Sequence, residues 1–460
     1  MALTQAHGRQ IRSAGLASVT GWAMDLYDLL VILYVASTIG PLLFPSHSAT
    51  LQLAFVYASF AVTLVMRPLG SAIFGNYADR NGRKSTMIFA IAGVGISTAL
   101  MGAVPTYEVA GVVAPAMFLA LRLAQGVFVG GVVAATHTLG TETVPARHRG
   151  LMSGIVCCGG AGLGAVLASV VFLVVSHLFP GAAFAAWGWR VMFFTGLVTA
   201  ILSVYVYRRT EESPLWESEA DAADRPKVQS PLRQVLSREY VGRLLLNIVV
   251  TAGASTLYYL TIGFFPTFLG ANVGMSKGAS GAVLIVANLV VVVAGLVGGS
   301  VSDRLGRQKV LVSAGVLSLL LIPASYLTLA NTAPENTGTI MVLTSLMALA
   351  ALTGSAPVLI FLNERFPTPV RATGTAMSWN IGFALGGMTP TVIALLSPRV
   401  ADIPSRLAVA TAVAAILLAL GAFAAGETKH LGLGEQERSD TDTGMSGAGL
   451  IDPVKAVKQA

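Results

Sequence analysis

The chain has 460 residues, of which 54% are hydrophobic and only 11% are charged, and its mean hydropathy is +0.73. A soluble globular protein of this length needs far more charge to cover its surface, so the composition excludes an ordinary soluble protein. The formal net charge of +7 indicates basic loops beside a membrane rather than a nucleic-acid partner.

Apolar segments follow one another along nearly the whole chain. Each is long enough to supply the roughly 20 residues that cross a bilayer as a helix. The first one is long and contains Asp25 and Asp28, which is unlike a cleavable signal. Twelve spans are predicted, at about 16–40, 50–75, 85–105, 110–140, 150–178, 188–208, 243–268, 279–301, 309–330, 337–362, 372–397 and 404–425.

Lysine and arginine are distributed unevenly between the two sides of these spans. Most lie in loops on the side of the N-terminus, whereas the opposite loops hold Arg190, Lys277, Arg399 and Arg406. The positive-inside rule therefore predicts a multi-pass protein of the plasma (inner) membrane with both termini cytoplasmic.

The spans and polar segments together predict five parts. A polar stretch separates the sixth and seventh spans, and the C-terminal stretch is rich in Gly, Ser and Asp, so we expect it to be disordered. The parts are a cytoplasmic tail at 1–15, a six-helix half at 16–209, a cytoplasmic linker at 210–242, a second six-helix half at 243–426 and a cytoplasmic tail at 427–460.

A charged loop occurs twice in the chain. GNYADRNGRK starts at Gly75 and GSVSDRLGRQK starts at Gly299, an offset of 224 residues. A second pattern, Glu-x-x-Pro-x-x-x-Arg, starts at Glu142 and again at Glu364, an offset of 222 residues. Two motif pairs with nearly the same offset predict duplicated halves, which is how many secondary transporters are built.

The repeated loops contain residues suited to a tight, charged turn between two helices. Their glycines permit tight turns, their aspartates suit a helix N-terminus, and Arg83 is placed to pair with Glu142. The polar and glycine residues of these motifs are Gly75, Asp79, Arg80, Gly82, Arg83, Glu142 and Arg149 in the first half, and Asp303, Arg304, Gly306, Arg307, Glu364 and Arg371 in the second.

These loops, together with the Arg122, Gln125, Gly126 stretch and the Glu-Ser-Pro at 212–214, resemble the major facilitator superfamily over residues 15–430. WAMDLYDLL at 22–30 and the run from Arg67 to Lys84 resemble its metabolite:proton symporter branch, which includes carriers of shikimate, 2-oxoglutarate, citrate and proline or betaine. The resemblance implies an all-α membrane fold of twelve transmembrane helices in two six-helix halves. It also implies that the loop residues named above are gating residues, which latch the halves together.

Ionisable residues inside the spans are candidates for function because they are costly there. Asp25 and Asp28 lie three residues apart on one helical face, and Arg67 is predicted at a similar depth on the next span. An ion pair of Arg67 with Asp25 or Asp28 would either order the packing or, if Arg67 moves, load and release a proton. Arg122 lies near mid-membrane, where it needs an anion from an aspartate or from a substrate carboxylate.

The candidate substrate contacts combine these groups with polar and aromatic residues of the second half. A mostly apolar pocket with a few polar contacts is typical of ligand sites. The candidates are Asp28, Arg122, Gln125, Tyr258, Tyr259, Asn288, Trp379 and Asn380.

The function predicted from the sequence is proton-coupled uptake of a small organic anion or zwitterion by alternating access. Drug:proton efflux and a membrane sensor are the alternatives, and an enzyme is not expected. The sequence has no G-x-x-x-x-G-K-[ST] loop and no clustered His/Cys set, so neither cofactor nor metal is predicted.

The expected partners are protons, lipid and a small substrate bearing a carboxylate. No nucleic acid is expected, and the protein is predicted to be a monomer.

Overall fold

The computed structural model describes the backbone of residues 2–81, 83–142, 146–209 and 231–431, and most of the side chains within them. This part of the chain forms twelve long helices, some of them broken into segments. They are α1 Ala2–Leu43, α2 Ala49–Asn81, α3 Arg83–Ala103, α4 Val113–Glu142, α5 Arg149–Leu178, α6 Trp189–Arg209, α7 Val241–Gly263, α8 Lys277–Leu305, α9 Arg307–Ala330, α10 Thr337–Glu364, α11 Thr368–Leu396 and α12 Ile403–Ala425.

Most of these helices are long and apolar enough to cross a membrane. Eleven spans of the described residues meet that test, and a shorter apolar stretch, Ile88–Ala103, lies within α3. Within an apolar bilayer a helix satisfies its own backbone hydrogen bonds, which is why apolar runs of this length become helices. The predicted fold class, an all-α membrane protein of twelve helices in two halves, is confirmed. The exact boundaries of the five parts stay predictions.

Several helices contain π-helical turns. One lies in α5 at Ile155–Gly159, one directly precedes α6 at Phe184–Gly188, and one forms the end of α7 at Tyr259–Gly263. Such turns shift the register of the side chains that follow and are frequent at functional sites.

The loop between α8 and α9 turns sharply at Gly306, a glycine of the repeated loop, as the sequence predicted. Gly306 has a φ of +107°, a region in which residues with a Cβ are strained. Ser276 caps the other end of α8, where its hydroxyl accepts a hydrogen bond from the Ala279 backbone N–H.

The two halves meet mainly through two helix pairs, α2 with α11 and α5 with α8. The repeat relates α2 to α8 and α5 to α11, so the two pairs are equivalent. We call the end at which α5 begins and α8 ends the inner end, after its predicted orientation, and the opposite end the outer end.

Glycines allow α5 and α8 to touch backbone to backbone. A Cβ on Gly154 would collide with the carbonyl oxygen of Gly295, and one on Gly299 would collide with that of Gly150. Small residues at helix contacts permit this close approach in membrane proteins. The halves are therefore tightly closed along this part of the inner end.

Candidate functional site

The predicted ion pair forms between the first two helices. Arg67 Nη2 donates to Asp25 Oδ2 at 3.5 Å, and both side chains are almost completely buried. Within the described residues, the second oxygen of Asp25 and the Nε and Nη1 groups of Arg67 have no hydrogen-bond partner. The pair is therefore long and incompletely satisfied for a buried ion pair.

Asp28, one turn further along α1, has a different partner. Thr199 on α6 donates its hydroxyl to the carboxylate, with Oγ1 lying 3.2 Å from Oδ1 and 3.1 Å from Oδ2. Arg122 on α4 is close enough to Asp28 for their charges to interact. The sequence predicted the group of charges but not the threonine, because nothing local marks a hydroxyl on a distant helix.

Arg122 is held by its own helix. Its Nη1 donates to Gln125 Oε1 at 2.7 Å, and Gln125 Nε2 donates in turn to Thr98 Oγ1 at 2.8 Å. Arg122 is fully buried, and its Nε and Nη2 groups have no partner among the described residues. A guanidinium with free N–H groups in an apolar environment can accept an anion.

A small cavity adjoins the two aspartates. It has a volume of about 10 Å³ and lies between α1, α3 and α6, with Asp25, Asp28 and Thr199 in its wall. This volume corresponds to roughly one water molecule. The cavity places a polar void beside the carboxylates, inside the N-terminal half.

A second cavity lies between the halves and is mainly aromatic and apolar. Its volume is about 30 Å³, and residues of α1, α5, α7, α10 and α11 line it. Trp22 contributes the N-terminal wall, whereas Tyr258, Trp379 and Phe383 contribute the C-terminal wall. Such a volume holds about two water molecules, so the halves are closed around the cavity in this state.

Two of the candidate substrate contacts, Tyr258 and Trp379, therefore face the central cavity. Tyr259 is buried between the rings of Phe60 and Phe383, with centroid distances of 5.3 and 6.0 Å. Asn380 is buried, and its side-chain oxygen has no partner in the described part of the chain. Neither residue lies in the wall of that cavity.

Asn288 forms a polar cluster that joins the halves. Its Nδ2 donates to Tyr34 Oη at 3.1 Å and to Ser169 Oγ at 2.9 Å, and these two hydroxyls lie 2.7 Å apart. All three side chains are buried. Asn288 thus lies in contact with the other half rather than in the central cavity.

At the inner end, the second copy of the repeated loop bridges the halves. Asp303 accepts hydrogen bonds from the backbone N–H groups of Gly150 and Leu151, each at 2.8 Å, at the start of α5. A carboxylate at a helix N-terminus is stabilised by the unpaired N–H groups and by the helix dipole.

Arg307 connects this aspartate to the second repeated motif. Its Nη1 lies 2.9 Å from Asp303 Oδ1, and its Nη2 lies 3.2 Å from Glu364 Oε1. Arg149, on the other half, is close enough to Glu364 for their charges to interact. The carbonyl of Arg304 accepts from Lys429 Nζ at 2.9 Å.

The remaining predicted loop residues are placed as follows. Arg371 Nε donates to the carbonyls of Asn363 and Phe366, each at 3.2 Å, which ties α11 to the end of α10. The side chains of Gly75, Asp79, Arg80, Gly82, Arg83 and Glu142 lie outside those that the structure describes. The expected Arg83–Glu142 pair stays a prediction.

Sequence reasoning did not single out Trp22 or Phe383 as lining residues of the central cavity. Trp22 lies within a recognised motif, but its position against the other half depends on packing. Trp379 and Phe383 are four residues apart, and this spacing places both on one face of α11. Cys157 and Cys158 also line the cavity, at the π-helical turn of α5.

Comparison with known proteins agrees with this architecture. The sequence model of the Major Facilitator Superfamily matches residues 17–389 of this chain. The chain is 30% identical over 399 residues to a proline/betaine transporter of Escherichia coli K12, covering 84% of this chain and 78% of that protein.

Two further similarities are informative. The chain is 26% identical over 393 residues to the alpha-ketoglutarate permease of Escherichia coli K12, covering 85% of this chain and 89% of that protein. Among solved structures, a D-xylose-proton symporter superposes with a TM-score of 0.73 at 17% identity, covering 92% of this chain and 99% of that one. At that identity, the superposition reflects the fold alone.

Proposed function

The chain belongs to the major facilitator superfamily, and from this premise we propose that it is a proton-coupled symporter that takes up a small organic anion or zwitterion. The observation that carries the proposal is a buried set of four charged residues, of which Asp25, Arg67 and Arg122 are incompletely paired among the described residues, while Asp25 and Asp28 border a small cavity inside the N-terminal half. A proton-coupled transporter needs an ionisable group that can exchange a proton during the cycle, and ionisable residues within membrane spans are candidates for this role.

The geometry supports a coupling role for the two aspartates. Asp25 accepts one long hydrogen bond from Arg67 and has a second oxygen with no partner among the described residues, and the carboxylate of Asp28 accepts from the Thr199 hydroxyl. In an apolar site a carboxyl group favours its protonated form, and an approaching guanidinium favours the charged form. Movement of Arg67 or Arg122 would therefore load or release a proton.

The relatives support the substrate class. Proline, betaine and alpha-ketoglutarate, which appear in the names of two relatives, all carry a carboxylate. Arg122, whose Nε and Nη2 have no hydrogen-bond partner among the described residues, would balance such a charge. We place the inner end in the cytoplasm and the protein in the inner membrane, in line with the loop charges.

Uptake into proteoliposomes tests the proposal. Radiolabelled proline, glycine betaine and 2-oxoglutarate would be offered with the lumen alkaline and the exterior acidic, and empty liposomes would serve as the blank. We expect one of these solutes to accumulate above its external concentration and an uncoupler to abolish that accumulation. Asp28→Asn should prevent uphill accumulation while retaining some exchange.

Two outcomes would contradict the proposal. Accumulation that is indifferent to the uncoupler would remove proton coupling. Normal accumulation in both Asp25→Asn and Asp28→Asn would remove the aspartates as proton carriers. Extrusion of the solute against the same gradient would support the efflux alternative instead.

A further inference from the structure

The central cavity has a chemistry that the buried charges do not explain. None of its described lining residues carries a formal charge at neutral pH, and Arg67 and Arg122 are not among them. The lining instead offers four aromatic rings, Trp22, Tyr258, Trp379 and Phe383. An aromatic ring has a negative face, so such a wall attracts cations rather than carboxylates.

The rings are arranged around the contact between the halves. Trp22 on α1 meets Trp379 on α11 edge to face, with centroids 6.1 Å apart and planes at 65°. Trp379 stacks on Phe383 at 4.3 Å, with planes at 22°. Trp22 Nε1 donates to the Cys157 carbonyl at 3.1 Å, which fixes the ring against α5.

One polar group in this wall lacks a partner. Tyr258 is 5% exposed, its side chain borders the cavity, and its hydroxyl makes no hydrogen bond within the described part of the chain. Leaving a buried hydroxyl unpaired is unfavourable. A ligand oxygen in the cavity would accept from it. The neighbouring Ser255 hydroxyl already donates to the Gly382 carbonyl at 2.9 Å.

Given the proposed symport, on which this inference rests, we propose that the central cavity binds the alkylated ammonium group of a zwitterion between Trp22, Trp379 and Phe383. The Tyr258 hydroxyl donates to the carboxylate of the same ligand. The ligand class is a small zwitterion whose nitrogen carries methyl groups or a ring. A dicarboxylate is disfavoured, because its second negative charge would meet the negative faces of the rings.

In the described state, the contact between the Trp22 and Trp379 rings keeps the empty site closed. The cavity of about 30 Å³ has room for about two water molecules, and Trp22 and Trp379 lie against each other across the two halves. When the halves separate, the contact between Trp22 and Trp379 opens, and the ammonium group takes its place. Recognition is therefore coupled to the relative position of α1 and α11.

Binding of two isosteric ligands to the purified full-length protein tests the charge preference directly. Glycine betaine and 3,3-dimethylbutanoate have the same shape and the same carboxylate, but only the first carries a positive nitrogen. Titration calorimetry should show glycine betaine binding at least about tenfold more tightly, a factor typical of a desolvated cation–π contact. Equal affinities would overturn the inference without any mutation.

Variants of the full-length protein test which side chains form the binding site. Trp379→Ala should abolish the preference for glycine betaine, whereas Trp379→Phe should keep part of it. Trp189→Phe serves as the matched control, because Trp189 is equally buried but lies on α6 and is not in the cavity wall. Tyr258→Phe should weaken both ligands by a similar factor. A preference that survives in Trp379→Ala would contradict the assignment of the site.

The binding experiment on the aromatic site and the uptake experiment on the proposed symport can fail independently of each other. Equal binding of the two isosteres, together with uptake that still requires an acid exterior, would remove the aromatic site and leave the symport. Ring-dependent binding of glycine betaine with uptake that ignores the proton gradient would remove the coupling and leave the site. Tighter binding of 2-oxoglutarate, unaffected by Trp379→Ala, would also overturn the inference.

Discussion

Arg122 is the residue whose surroundings best indicate an exchangeable partner. It is fully buried, and of its N–H groups Nη1 binds Gln125, whereas Nε and Nη2 have no acceptor among the described residues. Buried polar groups are usually satisfied, so unpaired N–H groups in a native site call for an explanation. A substrate or an aspartate that approaches Arg122 during the transport cycle would accept hydrogen bonds from these N–H groups and so explain them.

Replacing Arg122 by lysine tests this explanation. Lysine retains the positive charge but loses the planar fork that binds a carboxylate through two hydrogen bonds. We expect Arg122→Lys to reduce initial uptake of a carboxylate substrate into proteoliposomes by about tenfold or more, which corresponds to the roughly 1.5–3 kcal/mol of a charge-assisted hydrogen bond.

The control is a second arginine. Arg190 donates to the carbonyls of Gly102 and Val104 at the outer end, so Arg190→Lys should leave uptake nearly unchanged. Unimpaired uptake by Arg122→Lys, at equal amounts of folded protein, would assign Arg122 to structure rather than to transport.

At the scale of the helices, the contact between α5 and α8 depends on glycine. Gly154 faces the carbonyl of Gly295 so closely that no Cβ fits between them without a shift. Overpacking of this kind costs about 1–3 kcal/mol, and the cost arises only while the two helices are in contact. A substitution there should therefore disfavour the closed inner end without changing either helix by itself.

Gly154→Ala should make the cavity cysteines reactive. Cys157 and Cys158 lie one turn along from Gly154 and are buried in the closed state. We expect a maleimide to label them about five- to hundredfold faster in Gly154→Ala than in the unmodified protein, following the cost given above.

Gly278→Ala on α8 provides the comparison, because a Cβ at Gly278 meets nothing within 4 Å. Labelling should not change in that variant. Equal labelling rates in Gly154→Ala and in the unmodified protein would show that this glycine contact does not hold the inner end closed.

For the whole molecule, hydrogen bonds cross between the halves at both ends. At the inner end, Asp303 binds the N-terminus of α5. Towards the outer end, Tyr57 donates to Thr267 at 2.8 Å, and the Asn288 cluster also crosses between the halves. A carrier that works by alternating access must break one set while it keeps the other, so the described state, with both sets present, is an occluded one.

Substitutions at the two ends should shift the conformational balance in opposite directions. Asp303→Ala removes charge-assisted hydrogen bonds worth about 1.5–3 kcal/mol and should favour opening of the inner end. Tyr57→Phe removes a neutral one of about 0.5–1.5 kcal/mol and should favour opening of the outer end. Tyr326→Phe is the control, because the Tyr326 hydroxyl binds the Leu260 carbonyl within the same half.

Pulsed electron paramagnetic resonance distances would measure the shift. Spin labels at the exposed positions Arg147 and Lys309 report the inner end, and labels at Glu108 and Glu335 report the outer end. Asp303→Ala should lengthen the first distance and Tyr57→Phe the second. Identical distance distributions in both variants and the control would contradict a latch at these residues.

The sequence by itself determined the spans, the duplicated halves and the concentration of mid-span charge in the first half. These properties are carried by local hydropathy, by motif spacing and by the high cost of a charge in lipid, all of which can be read from one segment at a time. The second-half ion pair between Arg307 and Glu364 joins the two positions that the repeat relates to Arg83 and Glu142, the pair expected from the sequence.

Only the tertiary structure decided which of these residues meet. Thr199 binds Asp28, Asn288 joins Tyr34 rather than the central cavity, and Trp22 faces Trp379 across the halves. Each contact joins residues more than 100 positions apart, and its geometry depends on helix packing that no single segment encodes. Polar and aromatic side chains in apolar helices find partners wherever the packing places them, so their roles became definable only when the helices were assembled.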